Sequence, residues 1–292
     1  MDNTNYLEKA DFLFKKATKK FKKLNSFIYK YILPYSYSIK LAHEIIDLLR
    51  SAAKNYKIIN SQRYIKALLH KARVEKIFLC IQYIYTILEL ADYLSNGTYF
   101  DKLQSIEYYN MALQYCLETK IDEVYNIYNK MLVVYKSINC DYDMVILSEK
   151  MVDEYSNLIT NYNIVHIYKF LAFYYYSTGE YIKSQLMYDQ CLKKDINKHS
   201  YYSFENEILR SLLTCLVIGN LDLCKNKITE YCDLYPLFTC SNIYKFVKNI
   251  ISSIDASDID HFKDSINYYQ KYMALTDDDL LVFDKIAQFF FI

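Results

Sequence analysis

Between Tyr168 and Tyr231 the chain states one pattern twice, at a spacing of 40 residues, and that repetition confines it to few folds. Tyr168, Leu171, Ala172, Tyr175, Gly179, Ser184, Tyr188 and Cys191 are answered by Ile208, Ser211, Leu212, Cys215, Gly219, Cys224, Ile228 and Tyr231. Steps of three and four put the first four positions of each copy on one helical face and the last three on another. Gly179 and Gly219 fall between the stripes, where a backbone must turn through a left-handed conformation. Small residues such as Ala172, Ser184 and Cys224 let neighbouring helices approach closely. The pattern predicts antiparallel helix pairs. A further step back gives Tyr128, Met131, Leu132, Tyr135, Met144, Ser148 and Met151, with Asn139 at the turn, so at least three copies are present.

The unit resembles the tetratricopeptide repeat, with a step longer than the usual 34 residues or so, which implies longer helices or loops. Three glycines and two prolines, Pro34 and Pro236, in 292 residues leave too few tight turns for sheets. An all-α solenoid follows. With 53% hydrophobic residues and no Gly/Ser/Pro-rich linker, the chain reads as one array. The 34 tyrosines read mainly as packing residues, as does the Tyr174, Tyr175, Tyr176 cluster.

Along the chain, the periodicity predicts a first helix from about Asn5 to Lys23, with Ala10, Leu13, Phe14, Ala17 and Phe21 inward and lysines outward. Ser26 to Leu33 is apolar without a helical stripe and ends at Pro34, unlike an ordinary polar connection. The helical period resumes at Ile39, with turns near Asn60 and at Asn96 and Gly97. Near the end, Leu234 to Phe238 closes one helix. Helices are expected at Ser241 to Ser253, Asp260 to Ala274 and Asp277 to Phe291. The aspartates at the start of the last favour the positive end of the helix dipole.

Charge is unevenly placed although the net is +1. Lys9 to Lys30 carries eight lysines against Asp11, while Asp255 to Asp284 carries eight aspartates against Lys263 and Lys271. Opposite signs at opposite ends suggest two different partners. The eight cysteines form no C-x-x-C pair and read as free buried thiols of a reducing compartment. Ile77 to Ala91, the most apolar run, is too short and too polar to span a bilayer, and the N-terminus does not read as a signal peptide.

Three scattered glycines cannot build a phosphate-binding loop. The histidines, at 43, 70, 166, 199 and 261, share no local cluster with cysteine, and no nucleophile motif occurs. The reading is a non-enzyme without cofactor, metal or nucleic-acid partner.

In this order, the basic helix, apolar loop, 40-residue repeats and acidic end resemble the soluble NSF attachment proteins of the alpha and beta type. The similarity is strongest from Tyr231 to Ile286. Leu234-Tyr235-Pro236-Leu237-Phe238 looks like the family's L-F-P-x-F, and Tyr244 to Lys248 looks like its following basic helix. Asp260, Phe262, Tyr268 and Tyr269 keep the next helix in register. The resemblance implies a right-handed, tetratricopeptide-like solenoid of helical hairpins over 1–230, including an apolar membrane loop at 24–36. A C-terminal helical bundle is expected at 231–292.

It also implies an adaptor for vesicle-mediated transport and membrane fusion. Such a protein binds the SNARE four-helix bundle, recruits the hexameric ATPase NSF, and sits in the cytoplasm, peripherally on the cytosolic face of membranes. Phe27 and Ile28 fall at the family's membrane-inserting pair, extended by Tyr29, Tyr31 and Ile32. Lys57 and Lys245 fall on basic SNARE-facing positions. His166 stands where a lysine is expected, and Lys120, Lys130 and Arg210 match with a slip of one residue. The chain ends in Phe289-Phe290-Phe291-Ile292 instead of the family's acidic, leucine-closed tail, so the ATPase-facing role is expected at Asp277, Asp278, Asp279 and Asp284. The alternative expectation is a generic helical-repeat scaffold that binds peptide tails.

Overall fold

The computed structural model describes residues 3–26, 34–59, 61–78, 80–195, 204–272 and 275–291. Among them the chain is all-α, built of helical hairpins, and its internal contacts divide it into two units, Met1–Asp141 and Tyr142–Ile292. The boundary expected at 230 falls inside a helix of the second unit.

The first unit holds α1 (Asn3–Leu24), α2 (Tyr35–Ile58), α3 (Arg63–Phe78), α4 (Cys80–Ser95), α5 (Tyr99–Thr119) and α6 (Val124–Ser137), each packed on the next. Ala10, Ala17 and Leu24, seven apart, form the inner edge of α1 and are buried against Ala42, Ile45, Ile46, Ala52 and Ala53 of α2 and residues of α3. Alanine on both sides lets the two backbones approach. Asp11 fixes the register: it accepts from the Tyr56 hydroxyl at 2.6 Å and pairs with Arg63 of α3. The apolar run from Ile77 to Ala91 is divided between α3 and α4, and no helix among the described residues is long and apolar enough to cross a membrane.

The second unit holds α7 (Asp141–Tyr155), α8 (Asn161–Thr178), α9 (Tyr181–Asp195), α10 (Glu205–Val217), α11 (Leu221–Leu234), α12 (Asn242–Asp255), α13 (Ile259–Gln270) and α14 (Asp277–Phe291). The repeat is visible as a repeated contact. Ser184 Oγ donates to the Ala172 carbonyl at 2.9 Å, and 40 residues on Cys224 Sγ donates to the Leu212 carbonyl at 3.7 Å. In each hairpin a small side chain of the second helix satisfies itself on the backbone of the first. Gly179 and Gly219 both take φ of 82°, and Asn139, at the matching turn, takes 56°. The expected turn residues turn the chain.

Pro236–Cys240 forms a 3-10 turn after α11, with Phe238 fully buried between Tyr231 and Tyr244. Beyond it, α12, α13 and α14 share an aromatic core. Phe246 stacks on Tyr269 at 4.0 Å, and Phe283 meets Phe246 and Phe262 edge-on. Such pairs add to the area they bury. The helix expected to reach Ala274 ends at Gln270. Of the cysteines, 116, 191, 215 and 224 are buried, but 140 and 232 are half-buried and Cys240 is exposed, so the expectation of buried thiols holds only in part. Cys240 is the last residue of the 3-10 turn.

Candidate interaction faces

In the first unit a groove of about 1100 Å³ brings Lys57 and Lys130 together with Lys66. Glu89, Asp92, Asp101 and Glu123 line it too, so it is a mixed-charge groove and not a basic wall. Lys57 lies 5.6 Å from the centre of the Tyr64 ring, close enough for a cation–π contact, while Tyr64 donates its hydroxyl to Glu89 at 2.8 Å. Lys130 Nζ stands 2.7 Å from Asp92 Oδ2, and the buried Tyr109 donates to the other oxygen at 2.6 Å. Burial and that carboxylate together push the Tyr109 phenol upward. Lys120 is elsewhere on this unit: it is the exposed C-cap of α5, in a left-handed conformation at φ 56°.

In the second unit His166 is exposed on α8, its ring edge-on to Tyr162 at 4.9 Å. Lys245 is exposed on α12 beside a cleft of about 210 Å³ lined by Asn242, Phe246, Asn249, Tyr268 and Tyr272. Arg210 and Asp279, expected to serve two different partners, are instead held against one another. Arg210 Nε and Nη2 reach the two Asp279 oxygens at 3.0 and 3.3 Å, and the guanidinium lies 4.6 Å from the Phe173 ring centre. Their charges are spent inside the protein.

Asp279 has a second duty as the third residue of the α14 cap. It accepts from the Thr276 backbone N–H at 2.9 Å and hydroxyl at 2.8 Å, while its own N–H donates back to that hydroxyl at 3.3 Å. Burial alone would raise its pKa, but the hydrogen bonds from Arg210 and Thr276 outweigh that and hold the carboxyl below its usual range. Asp278 accepts from Ser177 Oγ of α8 at 2.7 Å. Lys285 Nζ reaches the Tyr181 hydroxyl of α9 at 3.0 Å. The acidic helix is thus tied to α8, α9 and α10; of the four expected aspartates, Asp277 and Asp284 are exposed and make no ion pair among the described residues.

Phe27, Ile28, Tyr29, Tyr31 and Ile32 lie outside the described residues. Asp92, Glu89 and Lys66 were not singled out from sequence, nor was the pairing of Arg210 with Asp279, because partners 38 and 69 residues apart leave no local spacing signal.

No curated protein matches the sequence. Among solved structures, that of BtubC (BKLC) from P. vanneervenii is similar at 11% identity and a TM-score of 0.37, with 80% of this chain and 91% of that chain covered. The family model described as "Soluble NSF attachment protein, SNAP" matches residues 149–287, a span that runs from α7 to α14 and includes the Pro236 turn. Over residues 149–287 the chain is similar to the soluble NSF attachment protein family.

Proposed function

We propose that the chain is an adaptor that binds a SNARE four-helix bundle and recruits an NSF-type hexameric ATPase to disassemble it, in vesicle-mediated transport and membrane fusion. The observation that carries this reading is the family match over 149–287. An adaptor of this kind performs no chemistry; it holds one partner by side-chain charge and shape and presents a second surface to the other. Lys245 and His166 are the exposed candidates toward an acidic bundle in the second unit, and Lys57 and Lys120 in the first; Lys130 is half-buried and paired with Asp92. Asp277 and Asp284 are the aspartates left for a basic ATPase surface. The protein would work in the cytoplasm and touch membranes peripherally.

The experiment is a pull-down of an assembled SNARE bundle with NSF in the presence and absence of this protein. The expected result is ATPase captured only when the protein is added. Failure to capture it overturns the adaptor role. One observation favours a second reading, a scaffold for peptide tails: the groove of residues 1–141 mixes Asn96 and Asn126 with Lys57, Lys66 and Lys130, outside the family match. Binding of free peptide tails, without ATPase recruitment to SNAREs, would establish that reading instead.

A further inference from the structure

The first turn of α14 is held by an arginine that has a second carboxylate one helical turn away. Val282, Phe283 and Ile286 bury the later turns of α14, with Phe283 against Phe246 of α12 and Phe262 of α13. The first turn is tied down by polar groups instead: Asp278 accepts from Ser177 of α8, and Asp279 receives Arg210 of α10. Beneath the guanidinium lie Phe173 at 4.6 Å and Tyr176 at 5.9 Å, an uncharged platform that favours no particular carboxylate.

Glu207 is one turn before Arg210 on the same face of α10. It pairs with Lys169 of α8 at 3.2 Å, but Lys169 also stands 3.9 Å from the centre of the Phe204 ring and keeps that contact if Glu207 turns away. Tyr188 of α9, 1% exposed, lies among Arg210, Glu207 and Asp279, and its hydroxyl has no hydrogen-bond partner among the described residues. A buried donor left unmet lowers the advantage of this arrangement over one that uses it. Two pairings are therefore open to the cluster. In one, Arg210 holds Asp279; in the other it holds Glu207, and Asp279 is released with its Thr276 cap intact. The released turn presents Asp277, Asp278 and Asp279 together, where the held turn exposes only Asp277 of the three.

We propose that Arg210 is an internal competitor for the acidic first turn of α14: it masks Asp279 while the protein is alone, and a basic protein surface displaces it toward Glu207. That surface belongs to the ATPase if the chain is an adaptor, the reading on which this autoinhibitory contact rests. The partner's apparent affinity is then its intrinsic affinity multiplied by the fraction of molecules already open.

The test measures capture of NSF on an assembled SNARE bundle by the full chain at limiting concentration, and carbodiimide labelling of Asp279 in the full chain alone. Arg210→Met removes the competitor and leaves a carboxylate that favours water over the interior. Asp279 should label faster, and capture should tighten about tenfold, the factor expected when the open form is about a tenth of the population. Glu207→Gln removes the second seat, so labelling should slow and capture should weaken. Because it leaves the buried pair in place, this variant reads the exchange even where Arg210→Met fails to fold. Unchanged capture and labelling in Glu207→Gln, or weaker capture by a folded Arg210→Met, overturns the proposal and leaves the adaptor reading standing. Absence of capture by the unaltered chain overturns the adaptor reading and this contact with it.

Discussion

Removing the Asp279 carboxylate should release α14 from the rest of the second unit. The side chains of Arg210 and Asp279 are 16% and 3% exposed, so Asp279→Ala strands a largely buried guanidinium and strips the α14 cap. Breaking a buried pair from one side costs about 3 to 5 kcal/mol. Loss of a cap alone costs about 1 kcal/mol. Arg210→Met with Asp279→Ala removes both charges, so its cost should fall toward the cap value, about 2 to 4 kcal/mol below that of the single variant. Hydrogen exchange of the α14 amides reads this locally, which matters because two units need not unfold as one. The single variant should lose roughly a hundredfold or more in protection, and the double variant about tenfold or less. Because the folded-state pKa of Asp279 is depressed, its contribution is present above the unfolded value of about 3.9 and fades as pH falls through the folded one. Unchanged α14 protection in Asp279→Ala, or a double variant as damaged as the single one, would refute the latch.

Gly219→Ala should destabilise the second unit by about 1 to 2 kcal/mol through the left-handed backbone, as read by denaturant midpoint. The added Cβ would also stand 2.4 Å from the Phe289 ring, but that ring is 61% exposed and can swing away. The cost should therefore survive in a Phe289→Ala background. Glu75 is buried between α3 and α4, and burial raises its pKa in spite of Thr86 and Lys71. Its folded pKa lies above the unfolded one, so the first unit should gain stability as pH is lowered from 7 toward the ordinary glutamate range, and thermal melts of Glu75→Gln should show less of that gain. Asp277→Lys with Asp284→Lys should weaken ATPase capture without changing the melting temperature, and intact capture would argue against an acidic α14 contact. Phe27→Ser with Ile28→Ser should lower liposome co-sedimentation at constant thermal stability; a drop in melting temperature with unchanged lipid binding would instead place those side chains against the protein.

Most of the fold was legible because its determinants are local. The 40-residue step set the hairpin period, and Gly179, Asn139 and Gly219 marked turns that positive φ then occupies. Leu234 to Phe238 marked the end of α11 because proline cannot continue a helix without its N–H. The candidate faces were less legible. A lysine or aspartate on a predicted helix can be placed on a polar face, but whether its charge meets solvent or a partner depends on another helix. Asp277, Asp278 and Asp279 are consecutive and read alike. Yet the first is exposed, the second accepts from Ser177, and the third is buried on Arg210.

Helicity, the positions of the hairpin turns and the opposite charge of the two ends are all written in the order of residues along the chain. These follow from periodicity, backbone conformational limits and simple counting, all of which act over a few residues. Which charges remain available depends on how the helices pack. Packing sets Lys130 against Asp92 and Arg210 against Asp279, and leaves Asp277 and Asp284 exposed. The reason is that an ion pair depends on separation in space, and packing brings side chains 38 or 69 residues apart to within 3 Å.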